Sequence, residues 1–136
     1  MKQEHKELLL KDLCSRIPYG VKMNHIADEE ICPLTLVGVA KDMITLEGLG
    51  GYECVDVENY NPYLFPLSSM TEEQKKKYNW LKHSVFVCHY EYGDVVEEIE
   101  LYDSPESFEY LIENHFDYRG LIEKGLAIDA TGKGIY

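Results

Sequence analysis

The sequence has no long apolar run and no pair of cysteines or histidines at the closest spacings of metal ligands. None of its apolar runs approaches the ~20 residues that a membrane-spanning helix needs. The Leu8–Leu10 run is too short for the core of a signal peptide, and Lys11 and Asp12 interrupt it. No C-x-x-C or H-x-x-x-H pair occurs, so we predict neither a metal site nor a cofactor. We therefore predict a cytoplasmic protein without membrane contact, whose four cysteines are free thiols.

Motifs for common catalytic sites are also missing. The chain has no Gly-x-Ser-x-Gly and no Gly-x-Gly-x-x-Gly, and the glycine run 48–51 lacks the Lys-Ser/Thr pair of a phosphate-binding loop. Cys88 and His89 are adjacent, which places them on opposite faces of a strand. A pairing of Cys88 with His83 or His115 as nucleophile and base stays open. We predict no catalytic residue, and the sequence favours a protein that is not an enzyme.

Positive charge is missing from one long segment. The formal net charge is -12, and no Lys or Arg occurs between Lys82 and Arg119. This segment carries ten acidic residues, which we predict to form an interaction surface: Glu91, Asp94, Glu97, Glu98, Glu100, Asp103, Glu106, Glu109, Glu113 and Asp117. Such a surface repels nucleic-acid phosphates and attracts a basic protein. The alternative interpretation is a solvated face that keeps the protein soluble.

The first half of the chain reads as one helix and several short strands. Lys2–Ile17 predicts an amphipathic helix that ends at Pro18, with an apolar stripe of Leu9, Leu10, Leu13, Cys14 and Ile17. Four strands are predicted at Tyr19–Ile26 (Val21 and Met23 inward), Ile31–Ala40, Met43–Glu47 and Tyr52–Val57, with a polar connection at 27–30 and turns at 41–42 and 48–51. We expect a small curved antiparallel sheet or partial barrel.

Asn59–Pro66 is predicted to be irregular, because it contains Pro62 and Pro66, which frame Tyr63, Leu64 and Phe65. Its aromatic side chains either close the end of the sheet or form an aromatic pocket, for which the candidates are Tyr60, Tyr63 and Phe65.

The second half begins with a capping box at Thr71–Gln74, which predicts a helix to Trp80 or Leu81. Val85–Tyr92 and Val95–Tyr102 alternate as strands, and Gly93-Asp94 predicts a hairpin loop between them. We expect one face to carry Val85, Val87, Ile99 and Leu101, and the other to carry Phe86, Cys88, Tyr90 and several carboxylates.

The stretch from Ser104 to Ala127 has the clearest helix signal. Ser104 and Pro105 suit the N-cap and first helical position, and Phe108, Leu111, Ile112 and His115 fall on one face. Asn114 and His115 are candidate helix breakers. Asp117 is predicted to cap a second short helix carrying Leu121 and Ile122, with Gly125 in the left-handed position after it.

Three segments resemble those of a known group of proteins. Asn61–Gln74, His115–Ala127 and Lys11–Lys22 are similar to recurring segments of small acidic proteins of unassigned function from gut-bacterial genomes and their mobile elements. The resemblance implies a bacterial, intracellular origin. It implies no activity, cofactor or site residue.

The sequence thus predicts an α+β protein with N-terminal, middle and C-terminal helices, in a single domain with a sub-division near residues 66–70. Three functions stay open. The first is an interaction or accessory protein that binds a basic protein through the acidic surface. The second is a nucleic-acid mimic that blocks a DNA-binding protein. The third is a small-molecule binder or enzyme that uses the aromatic pocket.

Overall fold

The computed structural model describes residues 1–28 and 30–136. These residues form three α-helices, a seven-stranded mixed sheet and a separate two-stranded hairpin, which confirms the predicted α+β class. The chain divides into two compact units. Unit 1 contains residues 1–69 and 112–136, and unit 2 contains residues 70–111. One boundary between the units falls between Ser69 and Met70, within the sub-division expected near residues 66–70. That the chain forms a single domain stays a prediction.

The sheet of unit 1 takes most of its strands from the first half of the chain. Helix α1 spans Gln3–Arg16, and the strands are β1 (Lys22–His25), β2 (Leu34–Ala40), β3 (Met43–Gly48), β4 (Gly51–Asp56), β5 (Tyr60–Pro66), β8 (Phe116–Asp117) and β9 (Ile128–Asp129). The strand order is β4-β3-β2-β1-β5-β8, and β9 also pairs with β5. The four predicted strands, β1 to β4, are antiparallel to their neighbours as expected. β5, which was not predicted as a strand, pairs antiparallel with β1, and β8 and β9 run parallel to β5. The predicted connection at 27–30 includes Glu29, which lies outside the described residues.

Helix α1 packs on the core through Leu9 and Leu13, which are one turn apart and fully buried. The helix is followed by a short 3₁₀ turn, Ile17–Tyr19, which contains Pro18. Gly20 ends this turn in the left-handed conformation, with φ 66°. Cys14 was predicted in the apolar stripe but is exposed. The buried residues of α1 instead include the charged side chains of Asp12 and Arg16.

The antiparallel meander follows its predicted turns. Lys41-Asp42 connects the paired residues Ala40 and Met43, and Leu49-Gly50 connects the paired residues Gly48 and Gly51. A Cβ atom at Gly48 would lie 2.6 Å from the Cδ2 atom of Leu34, so only glycine fits there without a shift of that leucine. Met23, Leu36, Ile44 and Leu46 of β1, β2 and β3 are buried, and so is Val21 just before β1.

The prediction that Asn59–Pro66 is irregular is wrong, because Tyr60–Pro66 is strand β5. β5 pairs with β1 through Met23 and Pro62, and with β9 and β8 through later residues. Pro62 has a ladder partner only on β1, and Pro66 only on β8. Each proline therefore lies where one side of the strand has no ladder partner, and there its missing N–H is tolerated.

The predicted second C-terminal helix is also wrong, because residues 118–127 form turns and bends. The Asp117 carboxylate accepts hydrogen bonds from the backbone N–H of Leu121 and of Ile122, both at 2.9 Å. Gly125 adopts the predicted left-handed conformation, with φ 73°. Both ends of this loop pair with β5, so its span is fixed by the sheet and it folds as a capped turn.

Unit 2 contains helix α2 (Glu72–Leu81), strands β6 (His83–Glu91) and β7 (Asp94–Tyr102), and most of helix α3 (Pro105–Glu113). The capping box is confirmed, since Thr71 Oγ1 accepts from Gln74 N and Gln74 Oε1 accepts from Thr71 N. Ser104 caps α3 as predicted, with Ser107 N donating to Ser104 Oγ at 3.0 Å.

Across residues 1–28 and 30–136, no helix combines the length and the apolar character needed to cross a lipid bilayer.

Candidate functional site: the acidic hairpin

The hairpin of unit 2 is closed by a tight turn at Tyr92 and Gly93. Both residues have positive φ, at 50° and 84°, and Glu91 pairs with Asp94 on either side of them. Two central residues with positive φ define a type I′ turn, in which glycine takes the second position. The predicted loop at Gly93-Asp94 is therefore wrong by one residue, because Gly93 occupies the second turn position and Tyr92 the first.

The register decides which side chains share a face. Residues directly opposite each other in an antiparallel pair point to the same side. Phe86 pairs with Ile99, whereas Val87 pairs with Glu98 and Val85 with Glu100. The predicted grouping of Val85 and Val87 with Ile99 and Leu101 is therefore wrong.

One face of the hairpin is apolar and exposed. We call this the apolar face; it carries Ser84, Phe86, Cys88, Tyr90, Val95, Glu97, Ile99 and Leu101. Its five large apolar side chains are between 46% and 81% exposed: Leu101 46%, Val95 59%, Phe86 62%, Ile99 68% and Tyr90 81%. Within unit 2, the two strands contact chiefly each other. The hairpin therefore presents an apolar surface of the kind that marks a binding site.

The opposite face, which we call the acidic face, carries His83, Val85, Val87, His89, Glu91, Asp94, Val96, Glu98, Glu100 and Tyr102. Glu100 accepts a hydrogen bond from the hydroxyl of Tyr102. His89 Nε2 lies 3.8 Å from a carboxylate oxygen of Glu91. Together the two strands carry five carboxylates and no Lys or Arg. The four lysines of unit 2 all lie between residues 75 and 82, in and just after α2.

Eight of the ten predicted acidic residues belong to unit 2, and seven of those are exposed. Five lie on the hairpin, Asp103 follows it, and Glu106 and Glu109 lie on α3. Asp103 is held in place, because the hydroxyls of Tyr78 and Ser107 donate to its carboxylate. Burial and the hydrogen bond to Asp103 raise the pKa of Tyr78, which keeps this phenol protonated.

The remaining two acidic residues lie in unit 1. Glu113 is exposed at the end of α3. Asp117 is only 7% exposed and caps the turn at Leu121 and Ile122, so its carboxylate is engaged inside the fold. It contributes to the structure of unit 1 and offers no accessible charge to a partner.

The three residues of the predicted aromatic pocket do not converge. Alternation along β5 places Tyr60 on one face of the sheet, and Tyr63 and Phe65 on the other. Tyr60 belongs to the main apolar core. The backbone oxygen of Tyr63 accepts from the hydroxyl of Tyr136 at 2.7 Å, and Phe65 lies 5.8 Å from the Tyr136 ring.

Sequence reasoning missed a buried ionic centre in unit 1. Asp12 and Arg16 are fully buried, and Arg16 Nε and Nη2 donate to the Asp12 carboxylate at 2.7 and 3.2 Å. Arg16 Nη2 also donates to the backbone oxygen of Phe116 at 2.7 Å, and Arg119 Nε lies 3.3 Å from Asp12 Oδ1. The spacing of four between Asp12 and Arg16 was the available signal. The side chains of Arg16 and Arg119 both lie over the Tyr118 ring.

His115 lies beside this centre in a strained backbone conformation, with φ 62°. Its ring stacks on Tyr136 with centroids 3.7 Å apart. Burial, together with the positive charges of Arg16 and Lys22, lowers the pKa of His115 to about 4. The imidazole is therefore neutral at physiological pH.

The pairing of Cys88 with His83 as nucleophile and base has no geometric support. Cys88 and His83 lie five residues apart on β6, so alternation places them on opposite faces. Among residues 1–28 and 30–136, no group of three or more His, Cys, Asp or Glu side chains is arranged to hold a metal ion.

Comparison of the chain with protein-family models, with curated proteins and with solved structures gives no match.

Proposed function

We propose that this protein is a small interaction protein of the bacterial cytoplasm, an accessory factor of a mobile element, that binds a basic protein through the hairpin of unit 2. The observation that carries the proposal is the combination on one hairpin of five carboxylates, no cationic side chain and five exposed apolar residues. The resemblance to small acidic bacterial proteins supports the compartment and the origin.

Energetics support a binding role for the apolar face. Burying one large apolar side chain contributes about 1.5–3 kcal/mol. Five such side chains are left largely in water on this hairpin. An isolated two-stranded hairpin is marginally stable, and it gains stability when a third strand or a packed surface covers it. Contact with a partner would supply that cover.

Charge supports a basic partner. The hairpin and α3 carry negative charge without a neutralising Lys or Arg from residue 83 to residue 118. Such a surface accelerates encounter with a cationic protein and disfavours wrong partners. Attraction between exposed charges is screened within about 10 Å at 0.1 M salt, so the complex should weaken as salt rises.

The mimicry hypothesis has less support. A mimic of nucleic acid needs carboxylates in regular rows that stand in for phosphates. Glu98 and Glu100 form a short row on the acidic face, about 6.8 Å apart along the strand. Val96 separates Glu98 from Asp94, the next carboxylate on the same face of β7, and Glu97 points to the opposite face. The aromatic-pocket hypothesis has the least support of the three, because Tyr60 faces away from Tyr63 and Phe65.

The test is a tagged pull-down from the native host at low and high salt, with captured proteins identified by mass spectrometry. A triple variant, Glu97→Gln, Glu98→Gln and Glu100→Gln, removes charge from the hairpin while keeping the side-chain size. The matched control changes three exposed carboxylates of unit 1: Glu7→Gln, Glu47→Gln and Glu53→Gln. We expect a basic protein to be captured at low salt by the wild type and by the control only. Capture that persists at high salt, or equal capture by both variants, would refute the proposal.

A further inference from the structure

The open edges of the hairpin have a defined pattern of backbone groups. In a hairpin closed by a two-residue turn, the flanking pair exchanges hydrogen bonds, and bonded and non-bonded pairs then alternate. Glu91 and Asp94 are the flanking pair. Phe86 and Ile99 therefore form a non-bonded pair, whose N–H and C=O groups point outward to the two edges.

The outward backbone groups of β7 belong to Val95, Glu97, Ile99 and Leu101. These are the same β7 residues whose side chains lie on the apolar face. In the described part of the chain, β7 pairs only with β6. A strand added along β7 would therefore form main-chain hydrogen bonds and extend the apolar face at the same time.

Charge distinguishes the two edges. β7 carries Asp94, Glu97, Glu98 and Glu100, whereas β6 carries Glu91 and two histidines. A cationic strand next to β7 would place its charges close to four carboxylates. Next to β6 it would find one carboxylate and two imidazoles, so β7 is the edge that complements a basic partner.

We propose that the basic partner binds as an extended segment that adds a third strand along β7. This inference rests on the proposed function and specifies its mode. The segment alternates apolar and cationic residues, because successive side chains of a strand point to opposite faces. Its apolar side chains lie beside Ile99 and Leu101 on the apolar face. Its Lys or Arg side chains lie beside Glu98 and Glu100 on the acidic face.

The test uses two synthetic peptides of the same nine-residue length as β7. One alternates lysine with valine, and the other has the same composition in scrambled order, so their charge is equal. Binding to the full chain is measured by fluorescence anisotropy at low and high salt, and backbone amide exchange is followed by NMR. We expect the alternating peptide to bind at least about tenfold tighter. We also expect it to slow exchange at the amides of Val95, Glu97, Ile99 and Leu101.

Two proline variants form a matched pair for the edges. Ile99→Pro removes an outward N–H from β7, and Phe86→Pro removes the directly opposite one from β6. Proline is tolerated at such edge positions because no ladder bond is lost. We expect Ile99→Pro to weaken binding of the alternating peptide about tenfold or more, and Phe86→Pro to change it by less than about twofold.

The outcomes separate this inference from the proposed function. Equal, salt-sensitive binding of both peptides without protection of β7 would overturn strand addition and leave the acidic interaction surface intact. Failure of both peptides to bind at low salt would overturn both proposals. Protection of β6 amides would overturn the assignment of the edge. Protection of β7 amides before any peptide is added would also overturn the inference. If that protection rises with protein concentration, a second copy of the chain occupies the edge of β7. If it does not, another part of the same chain occupies it.

Discussion

Replacing Asp12 with asparagine should destabilise unit 1 strongly. Asp12 is fully buried and is the carboxylate partner of Arg16 and of Arg119. Asparagine keeps the size of the side chain but removes its charge, which leaves the fully buried guanidinium of Arg16 uncompensated. Removing one partner of a buried ion pair typically costs about 3–5 kcal/mol. We expect a loss near 3 kcal/mol, since the asparagine oxygen still accepts one hydrogen bond.

The loss is large relative to the stability of a domain, which is about 5–15 kcal/mol. It should lower the melting temperature by on the order of 10 °C. The assay is urea unfolding followed by far-UV circular dichroism. The only tryptophan, Trp80, lies in unit 2, so its fluorescence follows that unit while circular dichroism also reports unit 1.

Two further variants show whether charge is the cause. Glu7→Gln on the same helix removes an exposed carboxylate, and we expect a change of less than about 0.5 kcal/mol. The double variant Asp12→Leu with Arg16→Met replaces the ion pair by apolar side chains, and it should recover at least half of the loss. A loss below about 1 kcal/mol in Asp12→Asn, or no recovery in the double variant, would refute the reasoning.

Two other predictions concern pH and turn strain. The folded pKa of His115 is about 4, below its ordinary value of 6.5, so in that window the unfolded chain binds a proton that the folded chain does not. Unit 1 should therefore lose stability as pH falls from 6.5 to 4, and His115→Asn, which tolerates positive φ, should flatten this dependence. Tyr92 has φ 50° in the hairpin turn, so Tyr92→Asn should stabilise the hairpin by about 1 kcal/mol, measured by amide exchange of β6 and β7.

Exposed residues serve as controls for both. His89→Gln replaces an exposed histidine of unit 2, so the slope of unit 1 stability against pH should stay as in the wild type. An unchanged slope in His115→Asn would contradict the pH prediction. For the turn, Tyr90→Asn should not stabilise the hairpin, because Tyr90 lies within β6 and has no positive φ. Equal effects of the two substitutions would contradict the turn argument.

Local signals in the sequence were sufficient for the elements that depend on short-range physics. The capping box at Thr71, the N-cap at Ser104 and the glycine turn at 48–51 all fold as expected, because their hydrogen bonds link residues a few positions apart. Alternation also located both strands of the hairpin. The exposure of its apolar face was not predictable, because periodicity identifies a face without showing whether anything covers it.

Features that depend on residues far apart in the chain were not predicted from the sequence. β5 was missed because two prolines argue against a strand, and only its neighbours show that each proline has a ladder partner on one side alone. The burial of Arg16 was not predicted, because its acceptor Phe116 O is 100 residues away in the chain. Asp117 was counted with the acidic surface for the same reason, since nothing in its own sequence neighbourhood shows that it is buried.

The position of β5 has a consequence for biosynthesis. β1 precedes β5 in the chain, but β8 and β9 follow it by about fifty and sixty residues. On a ribosome the meander β2-β3-β4 can pair as soon as it emerges, whereas one side of β5 must wait until all of unit 2 has been synthesised. Translation proceeds at about 5–20 residues per second, so this hydrogen-bonding edge stays unpaired for several seconds. The nascent chain therefore offers chaperones, or other nascent chains, a temporary strand-binding site that the finished protein no longer has.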